Sequence, residues 1–77
     1  MQYDYINRLR DLRTDKDKTQ KEVANDLKQH TTTYARWEQN PMQIKLADLI
    51  MIAKYYNVSI DYIAGLTNEN RPLQPLR

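Results

Sequence analysis

Residues 19–38, TQKEVANDLKQHTTTYARWE, hold the side chains whose types and spacing suggest chemistry, and that chemistry is recognition rather than catalysis. Thr31, Thr32, Thr33 and Arg36 crowd one short polar stretch. A threonine hydroxyl bonds to several bases and its methyl packs on a thymine methyl. An arginine fork can clasp O6 and N7 of a guanine, or grip a phosphate. Thr32 and Arg36 are one turn apart, so a helix brings both to one face. Tyr34 and Trp37 would form the inward edge, leaving Thr32, Thr33, Ala35 and Arg36 outward. A helix held by one edge and presenting hydroxyls and an arginine suits the major groove of DNA. Two blander readings stand beside this one: Thr31 as a plain helix cap, and Arg36 in a surface salt bridge to Asp26 or Glu38.

The elements that must position these residues are helices. Thr19 to Glu22 forms a capping box, in which the threonine hydroxyl takes an orphan amide and Glu22 reaches back to the cap. Val23, Ala24 and Leu27 then make a narrow inward stripe, and Lys28-Gln29-His30 breaks it before a new helix opens at Thr31. Pro41 disfavours helix at Asn40 and stops that helix there. Upstream, a first helix is predicted from Asp4 to Thr14 with Tyr5, Ile6, Leu9 and Leu12 inward, followed by a charged break to Lys18. A fourth helix starts near Lys45, with Leu46, Leu49, Ile50, Ala53 and Tyr56 on the inward stripe and Ile52 available to a second surface. Asn57 suits the left-handed close of that helix. Ser59 caps a fifth helix, Asp61 favours its dipole, Val58 and Ile63 occupy staple positions, and Gly65 ends it. The pattern is all-α, with residues 1–66 as one domain and Thr67 to Arg77, carrying Pro72 and Pro75, as a flexible tail.

Seventy-seven residues allow one small domain. The chain has no Cys, which fits a reducing cytoplasm. Its longest uncharged apolar run, Leu49 to Ala53, is far short of a membrane span, and Met1-Gln2-Tyr3-Asp4-Tyr5 is not a signal peptide. The expected location is therefore cytoplasmic. Net charge is +2, and all of it sits in residues 18–45, where Lys18, Lys21, Lys28, Arg36 and Lys45 outnumber Glu22, Asp26 and Glu38. With one His and no glycine-rich phosphate loop, catalysis has no visible machinery. Asp15 and Asp17 alone do not make a metal site, so neither enzyme activity nor a cofactor is expected.

The chain resembles the Xre family, the Cro and phage-repressor type of helix-turn-helix regulator. The residues that carry the resemblance are Thr19-Gln20, Glu22, Ala24, Leu27 and Arg36-Trp37-Glu38. Ile6 with Arg8-Leu9-Arg10 matches upstream; Leu49, Ala53-Lys54, Asn57-Val58-Ser59, Asp61-Tyr62 and Gly65 match downstream. The likeness covers roughly residues 5–66 and implies a five-helix bundle of the phage-repressor DNA-binding-domain type with a central helix-turn-helix. It implies that Gln20 touches a phosphate and braces the recognition helix, the alternative being a solvated glutamine. It places Thr31, Thr32 and Thr33 in the turn that meets base edges, and gives Asn40, Gln43 and Lys45 to backbone phosphates. It sets His30 where a capping serine is usual, and pairs Glu38 with an arginine of the first helix, Arg10 being the first choice. Tyr34 is larger than the Ile or Val usual there. Lys28 replaces the usual turn glycine at a cost on the order of 1 kcal/mol, which phosphate attraction can offset. The loop after Asn40 lacks the usual basic residues, which predicts modest non-specific affinity.

The function expected from these readings is a sequence-specific double-stranded DNA-binding regulator, a repressor working as a homodimer on a palindromic operator. Ile52, Tyr55, Tyr56, Tyr62, Ile63 and Leu66 are interface candidates, with ordinary core as the equal alternative. The second hypothesis is an antitoxin that binds a toxin partner through the tail or the fifth helix. A third is a helical module without DNA binding, against which Gln20 and Arg36 argue.

Overall fold

The computed structural model describes residues 5–73, with side chains from residue 7 onward. Its helices are α1 (Tyr5–Asp15), α2 (Gln20–Asp26), α3 (Thr31–Gln39), α4 (Leu46–Tyr56) and α5 (Ile60–Ala64), with a short 3₁₀ turn at Pro41–Gln43. No strand occurs among the described residues. The inward assignments of Tyr5 and Ile6, and the start at Asp4, lie outside the described residues. Leu9 and Leu12 are buried as expected. Helix α2 packs on α3, and α1 lies against both α3 and α5.

Local chemistry sets the boundaries. Thr19 Oγ1 accepts from the Glu22 amide at 3.1 Å and Glu22 Oε1 accepts from the Thr19 amide at 2.9 Å, completing the capping box. Those bonds from Thr19 hold the Glu22 carboxyl below its ordinary range. Lys28 takes the left-handed conformation, φ 57°, and the Gln29 amide reaches back to the Ala24 carbonyl at 2.8 Å, which folds α3 across α2. Asn57 does the same at the end of α4, φ 56°. Ser59 Oγ accepts from the Tyr62 amide at 3.0 Å and Gly65, φ 80°, closes α5. Val58 and Ile63 are both buried at their staple positions.

Helix α4 is rotated from the predicted phase. Leu46 and Ile50 are 66% and 41% exposed, whereas Ile52, predicted for a second surface, is completely buried beside Ala53 and Tyr56. The inward stripe is half-buried Leu49 with buried Ile52, Ala53 and Tyr56, also spaced three and four apart. Nearly every residue of LADLIMIAKYY is apolar, so periodicity leaves the phase open and packing against the bundle selects it. The interface candidates divide accordingly. Ile52, Tyr56 and Ile63 are core, Tyr55 and Tyr62 are half-buried, and Leu66 is exposed.

Arg8 is buried, which its sequence context did not signal. Its guanidinium donates to the carbonyls of Tyr62 (3.0 Å) and Thr67 (2.8 Å) and to Asn68 Oδ1 (2.6 Å), and it stacks 4.1 Å above the Tyr62 ring. Carbonyls and a π face compensate its lost hydration. Residues 67–73 form no regular element, and the Leu73 amide donates to Asn57 Oδ1 at 3.0 Å.

Candidate nucleic-acid interface

Helix α3 is fixed by its inward face. Tyr34, Trp37 and Glu38 are buried, and the two rings meet edge-on with centroids 6.1 Å apart. The Glu38 carboxylate accepts from Arg13 Nε at 2.7 Å, from Arg13 Nη2 at 3.2 Å and from Gln20 Nε2 at 3.0 Å. Arg13 Nη1 also donates to the Lys18 carbonyl at 3.0 Å. Hydrogen bonding to Glu38 raises the Arg13 pKa above the ordinary arginine value, against the opposing effect of burial.

The partner of Glu38 is thus Arg13 and not Arg10. Arg10 is exposed and approaches only Asp11, at 3.8 Å. Both arginines are on α1, but Arg13 is in its last turn, where the chain bends toward α2 and supplies the Lys18 carbonyl as a further acceptor. Gln20 braces α3 as the resemblance implies. A carboxylate only accepts, so one amide hydrogen of Gln20 is committed to Glu38 and the second is left for another acceptor.

The outward face carries the predicted readers. Thr31, Thr32 and Arg36 are exposed, and Thr33 is half-buried. Arg36 makes no ion pair among the described residues: Asp26 binds Lys18 Nζ at 2.9 Å and the Tyr55 hydroxyl at 2.5 Å, while Glu38 is taken by Arg13. The Tyr55 and Lys18 bonds hold the Asp26 carboxyl below its usual range. Thr31 is the first helical residue of α3, not its cap. His30 stands at the cap position without a side-chain bond to the helix, and it is exposed.

The remaining sites fall on two flanks. Thr33, Arg36, Asn40, Gln43 and Lys45 line one hollow of about 420 Å³, together with Gln29, Trp37 and Asp48. Gln20 lies in a second hollow of about 280 Å³, with Asn7, Arg10, Glu38 and Gln39. At about 100° per residue, Thr32 and Arg36 form a ridge with Gln39 at its edge, Thr33 and Trp37 fall on one flank of α3 and Glu38 falls on the other. Lys28 is exposed in the turn before α3 and lines neither hollow, although its neighbour Gln29 lines the larger one. Gln29, Asp48, Asn7 and Arg10 were not foreseen as lining residues. Asp48 carries a faint signal, three positions after Lys45 in the first turn of α4. Among the described residues no cluster of His, Cys, Asp or Glu stands ready to hold a metal, and no helix is long and apolar enough to cross a membrane.

With this geometry established, comparison with known proteins gives one family. The helix-turn-helix family matches residues 9–63, which include the capping box, both helices of the turn motif and every predicted contact. The chain belongs to the Xre-type helix-turn-helix family. This helix-turn-helix chain is 34% identical over 68 residues to an uncharacterised HTH-type transcriptional regulator, YobD, of Bacillus subtilis, covering 88% of the chain and 61% of that protein. It is 36% identical over 66 residues to the cryptic phage CTXphi transcriptional repressor RstR of Vibrio cholerae, covering 86% of the chain and 60% of the repressor. It therefore spans about three-fifths of the length of these curated relatives. No solved structure matches it at a significant level. The Arg8 clamp joins a residue just before the matched region to Tyr62 inside it and to Thr67 and Asn68 just after it.

Proposed function

We propose that this helix-turn-helix chain is a sequence-specific double-stranded DNA-binding regulator, a repressor that acts as a homodimer on a palindromic operator. The observation that carries the reading is the ridge of Thr32 and Arg36, both exposed and Arg36 without an ion-pair partner among the described residues, between two polar hollows. A major groove is bounded by two phosphate backbones, and a ridge between two donor-lined flanks matches that cross-section. Thr31, Thr32, Thr33 and Arg36 read base edges. Asn40, Gln43 and Lys45 hold one backbone and the free amide hydrogen of Gln20 reaches the other, while Lys28 adds a nearby positive charge. Asp48 beside Lys45 lowers the affinity for phosphate in general, in keeping with modest non-specific binding.

The repressor role follows the RstR relative, which is named a transcriptional repressor. One recognition helix covers about half a site, and a two-fold pair spaces two of them roughly 34–36 Å apart. Leu66, exposed, stays a candidate for the dimer contact, and the exposed Leu46 and Ile50 take the place of the buried Ile52, Tyr56 and Ile63. Neither the fold nor the relatives lend support to the toxin-partner alternative. Selection of bound duplexes from a randomised pool tests the reading: an inverted repeat of two half-sites is expected. Recovery of sequences with no common base pattern would refute sequence-specific binding.

A further inference from the structure

The hydroxyls of Tyr34 and Tyr56 meet at 2.6 Å inside the core, linking the recognition helix α3 to the last turn of α4. Both rings are buried, Tyr34 completely. Phenylalanine at either position would bury as much apolar surface, so the hydroxyls add something other than hydrophobic stabilisation. A buried hydroxyl is costly unless it is paired, and here one hydroxyl donates to the other. Apolar contact is non-directional and allows a helix to slide or roll slightly; a hydrogen bond fixes distance and direction.

The position of the bond along α3 gives it consequence. Among the described residues, α3 side chains make hydrogen bonds at two positions, Tyr34 and Glu38. Glu38 ties the C-terminal half to Arg13 of α1 and Gln20 of α2. Tyr34 ties the N-terminal half, directly after Thr31, Thr32 and Thr33. A rod held at one point can pivot, whereas a second point removes that freedom. The far end of the link is itself firm: Tyr56 packs edge-on against Tyr55 with centroids 4.9 Å apart, and the left-handed Asn57 closes α4 beside it. Burial pushes the Tyr56 phenol up to about 12 and Tyr34 higher still, so both are neutral at neutral pH.

We propose that the Tyr34–Tyr56 hydroxyl pair is a positioning device for duplex reading, holding the threonine-bearing half of α3 at the angle that base discrimination requires. Tyr34 and Tyr56 are positioning residues and touch no base themselves. The inference rests on the DNA-binding reading above, and it goes beyond it by assigning part of the discrimination to two core hydroxyls. A fixed recognition helix discriminates because small displacements of a donor from its base edge weaken the bond steeply.

The test replaces both hydroxyls at once, Tyr34→Phe with Tyr56→Phe, because removing both leaves no buried group unpaired and spares stability. The probes are a duplex recovered by the unaltered chain from a randomised pool and a scrambled duplex of the same composition. The double variant is expected to melt close to the unaltered chain, yet to lose about tenfold in preference for the selected duplex. Amide exchange at Tyr34 and Ala35, where the backbone hydrogen bonds of α3 begin, should accelerate while exchange at the Glu38 end does not. Should the double variant melt too low to use at room temperature, both readouts are taken in the cold, well below its melting transition, and the same loss of preference is expected. A folded variant with undiminished preference and unchanged exchange would overturn the positioning role. If the unaltered chain itself prefers no duplex, the DNA-binding reading fails instead, and amide exchange still decides whether the pair holds the helix.

Discussion

Removing one partner of the Arg13–Glu38 pair should damage the fold far more than removing both. Glu38 is 7% exposed and accepts three hydrogen bonds from Arg13 and Gln20. Arg13→Ala leaves that carboxylate enclosed, with only the Gln20 amide to stabilise it. Breaking a buried pair from one side typically costs about 3–5 kcal/mol. A chain of this length holds roughly 4–12 kcal/mol in total, so Arg13→Ala removes from about a quarter of its stability to all of it. Glu38→Ala belongs at the lower end, near 3 kcal/mol, because the orphaned guanidinium keeps the Lys18 carbonyl and more access to water. Replacing both, as Arg13→Met with Glu38→Met, restores stability to within about 1 kcal/mol of the unaltered chain, since no uncompensated charge remains buried. Urea unfolding of the four proteins at neutral pH measures these differences. Single variants that each lose less than about 1 kcal/mol would mean the pair behaves as an exposed one, and the reasoning from burial would be wrong.

Lys28→Gly should raise stability by about 0.5–1 kcal/mol, because Lys28 sits at φ 57°; an unchanged or lower melting temperature would contradict strain at that turn. Arg36→Ala should weaken binding to a selected duplex by about 1–3 kcal/mol and to scrambled DNA far less, as measured by titration; equal losses would reduce Arg36 to a phosphate contact. The pH dependence has an alkaline edge with a definite sign. The folded chain keeps the Tyr34 and Tyr56 protons that the unfolded chain releases near pH 10, so their contribution is intact below 10 and is lost as pH rises toward 12 and beyond. Tyrosinate absorbance should therefore show two of the six tyrosines ionising only together with loss of helix; early titration of all six would refute it.

What could be read from residue order is what depends on neighbours in the chain. The Thr19–Glu22 box, the Ser59 cap and the left-handed positions at Lys28, Asn57 and Gly65 each involve atoms within a few residues, so identity and spacing suffice. The outward placement of Thr32 and Arg36 follows from the same local logic, because α3 has only Tyr34 and Trp37 as large apolar anchors. Even the inward turn of Glu38 was legible, since a carboxylate facing phosphate would repel it.

Three-dimensional packing settled what helical periodicity leaves degenerate. In α4 almost any face is apolar, and the bundle buries Ile52 while leaving Leu46 and Ile50 in solvent. On α1 two arginines lie one turn apart, and only the way α1 crosses α3 puts Arg13 rather than Arg10 within 2.7 Å of Glu38. Arg8 is buried by acceptors 54 to 60 positions away, and the Tyr34–Tyr56 bond spans 22. Such contacts have no signature along the chain, because the acceptors that make a buried charge or hydroxyl tolerable arrive only when distant helices pack.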